Sequence, residues 1–336
     1  MTIHRLHQDD SARAAVCGIS RWQTPLALAS GDRLASWQLA YRWQGKAGAP
    51  VVLVLGGISA DRFAWRADGS GWWQGLFDHG LDLARFRVLT LDYLGGVGES
   101  SPAPGPLAVA DQALAIALLL ERLNVTRLDA VIGASFGAMV ALELARHSPE
   151  LVERLVLIAG AHRSHRLGAA WRGLQRQVLA LGEQAGDPAL GVALARALAM
   201  CSYRCAREFD ERFAETPQAA LDYVLSRGQR FAERHDGQVL SRLGQAIDEH
   251  RLDPHRIHCP CLVLGLDSDQ LVPPWLLAEL AEQLPRCRGL EIWPSKYGHD
   301  GFIKETRAFG PVLSSFLIGE KDHGQQPDHL RRASGH

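Results

Sequence analysis

The feature that most constrains the fold of this chain is a series of short apolar runs separated by helical stretches. The runs are rich in valine, isoleucine and leucine and lie at Val51–Leu55, Arg87–Leu91, Ala130–Gly133, Arg154–Ile158, Cys261–Gly265 and Leu290–Trp293. Such runs are typical of parallel-sheet strands that are covered on both faces. Helical patterns over Val109–Leu123 and Phe136–His147 lie between them. The alternation predicts an α/β protein with a mostly parallel sheet flanked by helices.

The alternation stops after Ala161 and resumes at Cys261. From about Ser164 to about His250 the sequence is helical almost throughout, as in WRGLQRQVLALGEQ and AALDYVLSRGQRFAERH. An all-helical block inside a sheet protein predicts an inserted cap, and the polar end of the chain lacks periodicity, which predicts disorder. We therefore predict three parts: a core at 1–163 and 255–319, a helical cap or lid at 164–254, and a disordered tail at 320–336.

Composition argues against several function classes. The net charge is −1 with histidine neutral, which gives no electrostatic reason to expect nucleic acid or a membrane surface as a partner. No apolar run approaches the ~20 residues of a membrane span, and acidic residues interrupt the N-terminal segment where a signal peptide is apolar. The six cysteines are scattered without a CxxC pair, so we expect reduced thiols, no metal and a cytoplasmic protein.

The sequence Gly133-Ala134-Ser135-Phe136-Gly137 matches the pattern G-x-S-x-G. The pattern also arises by chance, so a serine in an ordinary glycine-rich turn is the alternative. Here it follows a predicted strand and opens a predicted helix, which is the context that a nucleophile elbow requires. Glycine on both sides of the serine suits so tight a turn. We therefore predict an α/β-hydrolase fold with Ser135 as the nucleophile.

A serine nucleophile needs a base, and the base needs an acid that orients it. In this fold the chain order is Ser, then Asp or Glu, then His. Asp267 and Asp269 follow the run Cys261–Gly265, and His299 follows the next run. Because the carboxyl ends of parallel strands share one edge of a sheet, these side chains should meet Ser135 there. The pattern leaves both aspartates open as the acid, since one of them could brace the loop.

The oxyanion hole of this fold combines two backbone N–H groups. One should come from Phe136 and the other from the loop after the first apolar run, where Gly56 and Gly57 let the backbone approach a substrate closely. A plain turn is the alternative for this loop. The sequence leaves open which amide within Leu55–Ile58 contributes.

Longer stretches of the chain, from about Tyr41 to Leu317, resemble the homoserine O-acetyltransferase family. The likeness covers its nucleophile region, acid loop, histidine loop and the first parts of its cap, in GASFGAMVALELARHSPELVERLVLIAGAHR, LGLDSDQLVPP, YGHDGFIKE, AWRGLQRQVL and SYRCAREFDERF. The acid-loop likeness favours Asp269 over Asp267.

The resemblance implies a function in methionine synthesis. An acyl group would pass from acyl-CoA to the hydroxyl of L-homoserine by a ping-pong acyl-serine mechanism, with acyl-CoA as co-substrate and no bound cofactor. By the family pattern, Arg176 in the cap would grip the homoserine carboxylate and Asp300 would hold its amino group. A solvated helix arginine and a loop-bracing carboxylate are the alternatives. Small molecules are the expected partners, and the oligomeric state is open, with a homodimer as one alternative.

The chain also departs from the family pattern. The loop DYLGGVGESSPAPGP is shorter than the family's, and the segment LGGIS lacks the Leu-Thr-Gly motif that is usual there in the family. Both segments lie near the acyl entrance, and succinyl-CoA users occur in the family, so the donor stays open between acetyl and succinyl and the acceptor between homoserine and serine. An esterase or a C–C bond hydrolase is a rival on the same fold. Arg176 and Asp300 separate the classes, since a hydrolase of apolar esters has no use for a zwitterion clamp. A complete triad argues against a non-catalytic binding protein.

Overall fold

The computed structural model describes residues 15–319 of the 336-residue chain, so the predicted tail at 320–336 lies outside the described part. Ten strands occur in this part: β1 (Ala15–Trp22), β2 (Leu26–Ala27), β3 (Arg33–Leu34), β4 (Trp37–Gln44), β5 (Val51–Leu55), β6 (Arg87–Leu91), β7 (Ala130–Ala134), β8 (Leu155–Ile158), β9 (Cys261–Leu266) and β10 (Cys287–Trp293).

Eight of these strands form one sheet in the order β1-β4-β6-β5-β7-β8-β9-β10, and β2 pairs with β3 in a small separate sheet. The strands from β6 to β10 in that order run parallel, whereas β1 and β4 are antiparallel to their neighbours. Every apolar run predicted to be a strand is one. The predicted α/β class with a mostly parallel sheet is therefore confirmed.

The sequence pattern did not predict the antiparallel edge of the sheet, which β1 and β4 form. β1 lies at the end of the sheet and exposes half of its residues, so it lacks the continuous apolar run of a buried strand. The stacked rings of Trp22 and Trp37, with centroids 3.9 Å apart, pack the pair β1 and β4 together. Strands of this kind are specified by contacts across the pair more than by their own sequence.

Eleven α-helices occur in the described part: α1 (Gln74–His79), α2 (Val109–Arg122), α3 (Phe136–His147), α4 (Arg166–Gln184), α5 (Pro188–Tyr203), α6 (Ala206–Arg212), α7 (Pro217–Ala232), α8 (Gln238–Glu249), α9 (Pro274–Gln283), α10 (Gly301–Lys304) and α11 (Thr306–Ile318). One hydrophobic core joins a face of the sheet to α2, α3 and α9. A second core joins the opposite face to α1, α10 and α11. Alternate residues of the central strands enter each core, which produces the three layers of an α/β protein.

The helices α4 to α8 follow one another between β8 and β9 with no strand among them, within the region predicted as an inserted cap. The chain leaves the core at Arg163 and returns at Arg251, and these residues form an antiparallel bridge. Gly182 and Gly191 let α4 and α5 pack closely, because a Cβ added at Gly182 would lie 2.5 Å from the Gly191 Cα atom. Among the helices of residues 15–319, none is by itself long and apolar enough to cross a membrane. The helices α5 and α6 reach that length and composition only when they are taken together, and the chain bends by 103° between them.

Candidate active site

Ser135 occupies a strained turn between β7 and α3. Its backbone has φ 55° and ψ −120°, a conformation that residues other than glycine rarely adopt. A Cβ added at Gly133 would lie 2.3 Å from the Gly137 carbonyl oxygen, and one at Gly137 would lie 2.3 Å from the Leu55 carbonyl oxygen. The two glycines of the motif are therefore required by close backbone contacts. The turn holds the serine hydroxyl at the carboxyl edge of the sheet.

The structure brings Ser135, His299 and Asp269 together in one hydrogen-bonded chain. His299 Nε2 lies 2.8 Å from Ser135 Oγ, and His299 Nδ1 lies 2.7 Å from Asp269 Oδ2. His299 belongs to a single helical turn after β10, and Asp269 to the loop after β9. An ionised carboxylate can only accept a hydrogen bond, so Nδ1 of the neutral imidazole carries the proton. The lone pair of Nε2 then faces the serine hydroxyl.

The two aspartates after β9 have different surroundings. Asp269 is buried, and its Oδ1 accepts hydrogen bonds from the backbone N–H groups of Leu271 at 2.8 Å and Val272 at 3.0 Å. Asp267 is exposed, and its Oδ1 accepts a hydrogen bond from the backbone N–H of Ser295 at 2.9 Å. Asp267 therefore braces the loop after β10, and Asp269 is the aspartate that contacts the histidine.

The electrostatic surroundings of His299 favour its charged form. Burial lowers the pKa of this imidazole, but the charge and hydrogen bond of Asp269, helped by the charge of Asp300, outweigh burial and raise its pKa above the ordinary value. A histidine that takes a proton from serine becomes an imidazolium. The arrangement therefore stabilises the charge that general-base catalysis would create.

The cap rests directly on the loop that carries the histidine. Gly298 has φ +58°, and a Cβ there would lie 2.7 Å from the carbonyl oxygen of Tyr203, the last residue of α5. The Cys205 thiol donates a hydrogen bond to the Lys296 carbonyl at 2.7 Å. The Tyr203 ring centre lies 6.3 Å from that of His299. Cap and core are therefore in direct contact beside the site.

The predicted oxyanion residues differ in their distance from Ser135. Phe136 is the first residue of α3, so its N–H has no acceptor within the helix. A Cβ added at Gly57 would lie 3.9 Å from the Ser135 Cβ atom, whereas one at Gly56 would lie 2.4 Å from the Trp72 ring. Gly57 is therefore the glycine that flanks the nucleophile, and Gly56 packs under the tryptophan.

A cavity of about 350 Å³ opens at Ser135 between core and cap. Its volume lies in the range of small-molecule sites. The core contributes Gly57, Trp72, His299 and Asp300, and the cap contributes Arg172, Gln175, Arg196, Tyr203 and Phe231, among others. Both parts of the molecule therefore contact whatever the cavity holds.

The arginines that line this cavity do not include the one that sequence analysis names. Arg172 lines the cavity and also a smaller space of about 30 Å³ beside Ser135, whereas Arg176 is not among the described residues that line either one. Both arginines bind one carboxylate, with Arg172 Nε 2.7 Å and Arg176 Nη1 2.8 Å from the oxygens of Asp248. Residues four apart share a helix face, so the helical pattern contained a signal for Arg172 that we missed.

Asp300 lines the cavity as expected, but it already has a cationic partner. Its Oδ2 lies 2.9 Å from Nε of Arg204, a buried residue that also pairs with Glu208. The residues between α5 and α6 therefore supply a charge that the sequence pattern did not indicate. A substrate ammonium group at Asp300 would share the carboxylate with Arg204.

The elbow, the hydrogen-bonded Ser-His-Asp chain and the capped parallel sheet together define an α/β-hydrolase-type enzyme. A family model described as the alpha/beta hydrolase fold matches residues 50–306. The chain is 38% identical to a homoserine O-succinyltransferase of Xanthomonas campestris, covering 92% of this chain and 86% of the relative. It is 30% identical to a homoserine O-acetyltransferase of Chloroherpeton thalassium, covering 88% of each.

Solved structures lead to the same group. A crystal structure of homoserine O-acetyltransferase from Staphylococcus aureus superimposes with a TM-score of 0.82 at 25% identity, covering 94% of this chain and 99% of that one. This chain belongs to the homoserine O-acyltransferase family within the α/β hydrolases. The family resemblance identified from the sequence motifs is therefore confirmed.

Proposed function

We propose that this enzyme transfers an acyl group from acyl-CoA to the hydroxyl of L-homoserine through an acyl-Ser135 intermediate, an early step of methionine synthesis. The observation that carries the proposal is the joint position of Ser135, Arg172 and Asp300 on one cavity. A nucleophile for acyl transfer thus shares its cavity with a cationic and an anionic side chain. An amino acid acceptor has the complementary pair of charges.

The first half-reaction forms the acyl-enzyme. His299 Nε2 takes the Ser135 proton as Oγ attacks the thioester carbonyl carbon. The N–H of Phe136, with an amide of the loop at Gly57, stabilises the oxyanion of the tetrahedral intermediate. The C–S bond then breaks, His299 returns its proton to the departing sulfur, and CoA leaves as the free thiol.

The second half-reaction reverses these roles with a new nucleophile. The acceptor hydroxyl loses its proton to His299 Nε2 and attacks the ester carbonyl carbon. The bond from that carbon to Ser135 Oγ breaks, and the proton on His299 passes to the serine. The product is the O-acyl amino acid, and the enzyme returns to its starting state.

Acceptor recognition follows from the charges at the cavity. Arg172 offers the acceptor carboxylate a planar guanidinium fork, held in place by Asp248 at 2.7 Å. Arg176, the arginine named by the family pattern, binds the other oxygen of Asp248 and fixes that carboxylate from one helical turn away. Asp300, aligned by Arg204, suits the ammonium group.

Water competes with the acceptor for the acyl-enzyme, and the cap limits its access. Tyr203, Phe231 and Leu240 of the cap line the cavity above the serine. Apolar and aromatic walls exclude water from a site, which favours transfer over hydrolysis. An esterase on the same fold is the rival function, since the triad serves both reactions.

The experiment that tests the proposal offers the enzyme two donors and two acceptors. Thiol release from acetyl-CoA or succinyl-CoA is followed with L-homoserine or L-serine, and the products are weighed by mass spectrometry. We expect acceptor-dependent thiol release and an O-acyl amino acid. Thiol release that is independent of the acceptor and yields only free acid would show a hydrolase instead.

A further inference from the structure

Arg196 of α5 lines the same cavity as Ser135 and takes no part in the mechanism above. It is half-buried, and its guanidinium carbon lies 4.9 Å from the ring centre of Phe231 and 5.3 Å from that of Tyr203. Two aromatic rings hold a guanidinium group by cation–π contact and leave its N–H edge available. The side chain is therefore positioned at the cavity without using its charge on a carboxylate.

The other charged groups at the cavity are already paired. Besides the histidines, the charged side chains that line it are Arg172, paired with Asp248, Asp300, paired with Arg204, and Arg196 itself. Across residues 15–319, no carboxylate lies within ion-pair distance of Arg196; its polar contact is the Tyr203 hydroxyl at 3.5 Å. A half-buried cation without a counter-ion is costly unless an anion can reach it.

A histidine lies near Arg196 at the cavity. His235 lines the same cavity, and burial, followed by the positive charges of Arg234 and Arg196, lowers its pKa despite the opposing charges of Asp236 and Asp61. An uncharged His235 does not compete with Arg196 for an anion. Among the described residues that line this part of the cavity, Arg196 is therefore the cation that an anion would meet.

The ring of Tyr203 lies near both Arg196 and the base His299. The Tyr203 ring that contacts the guanidinium group has its centre 6.3 Å from that of His299, which in turn contacts Ser135 Oγ. A single aromatic ring thus links the unpaired cation to the base. A short acyl chain bound to Ser135 would extend into the space that these groups share.

We propose that Arg196 binds the free carboxylate of a dicarboxylic acyl donor, of the succinyl type, and thereby determines which acyl-CoA the enzyme uses. The inference rests on the proposed acyl transfer. An acetyl group has no charge for Arg196 to pair with, whereas a succinyl group carries a carboxylate at the end opposite the thioester. The acceptor also carries a carboxylate, and the proposed function assigns that group to Arg172 beside Ser135.

The test measures acylation alone, as CoA released in the first turnover without acceptor. Arg196→Met removes the charge and keeps a long apolar stem, and we expect its kcat/KM for succinyl-CoA to fall about 100-fold or more. Acylation by acetyl-CoA should stay within about 3-fold of wild type, which also reports that the variant folds. Arg196→Lys should recover part of the loss, since an ammonium group supplies charge without the fork.

Arg227→Met is the matched control. Arg227 of α7 stacks on Tyr223 at 5.4 Å in the same cap, but it is exposed and is not among the described residues that line the cavity. This variant should acylate with both donors as wild type does. A loss with succinyl-CoA here would show that any missing cap arginine weakens the donor site, and would overturn the inference.

Several other results would overturn the inference while leaving the proposed function intact. They are an equal loss with both donors, an unchanged succinyl-CoA reaction, a wild-type preference for acetyl-CoA, or a rise in acceptor KM with normal acylation, which would assign Arg196 to the acceptor carboxylate. If the wild-type enzyme releases CoA from neither donor, with or without acceptor, the proposed function fails and the inference fails with it.

Discussion

The two walls of the active site are built by different means. On the core side, each reacting side chain follows a strand and is fixed by backbone, as in the φ of 55° at Ser135 and the two N–H groups that bind Asp269. On the cap side, the charged groups lie at the ends of long side chains and are fixed by other side chains: Arg172 by an ion pair with Asp248, and Arg196 by contact with two aromatic rings. The core therefore holds the Ser-His-Asp chain and Asp300, and the cap holds the arginines that line the cavity.

This difference has a consequence for mutation. A change in the core wall should slow both half-reactions, because each uses the same nucleophile, base and oxyanion hole. A change in the cap wall should slow only the half-reaction whose substrate it contacts. The four predictions below test this division, starting with the largest expected effect.

The first prediction removes the nucleophile. Ser135→Ala should lower CoA release about 10⁴-fold or more, since no acyl-enzyme can form. Ser226→Ala is the control, because Ser226 is exposed on α7 and is not among the described residues that line the cavity, so the rate should stay near wild type. Thiol release and the mass of the intact protein measure the two variants. Acylation that persists in Ser135→Ala would place the nucleophile elsewhere.

The second prediction separates the two aspartates after β9. Asp269→Asn should cost about 10⁴-fold in both half-reactions, because the amide favours the wrong tautomer of His299. Asp267→Asn loses only a brace to the Ser295 N–H and should cost far less. Single-turnover acylation and deacylation rates measure both variants. If Asp267→Asn were the inactive variant, our assignment of the acid would be wrong.

The third prediction breaks the cap wall. Arg172→Ala should raise the KM for homoserine steeply, since losing a desolvated pair to a carboxylate costs roughly 2–5 kcal/mol. Arg176→Ala should raise it less, because Arg176 acts through Asp248. Acylation should stay near wild type in both variants. A larger effect at Arg176 would return the carboxylate to the arginine that the family pattern names, and slowed acylation would contradict the division between the walls.

The fourth prediction concerns pH. CoA release requires neutral His299, so its rate should fall as the pH drops below the raised pKa of that residue. In Asp269→Asn the effect of burial remains and the opposing charge is lost, so the residual activity should persist to lower pH than in wild type. The pH profiles of kcat/KM measure the shift. A limb that stays in place would show that Asp269 does not set the pKa of His299.

More of the core side of the site than of the cap side could be predicted from the sequence. The buried strands and the elbow could be predicted because continuous apolar runs and obligatory glycines are local signals. The ion pairs of the cap join residues far apart in the chain, as Arg172 and Asp248 do, and no local pattern specifies such pairs. The edge strand β1 was missed for a similar reason, since its specification lies in its pairing with β4.

The contact between Gly298 and the end of α5 limits how this scaffold can be engineered. A Cβ at position 298 would lie 2.7 Å from the Tyr203 carbonyl oxygen, so the cap backbone fits against a residue without a side chain. A cap transplanted from another enzyme would therefore disturb the histidine unless its backbone followed the same path past this glycine. Redesign for new acceptors is best confined to side chains on α4 and α5, with the segment Tyr203–Cys205 left unchanged.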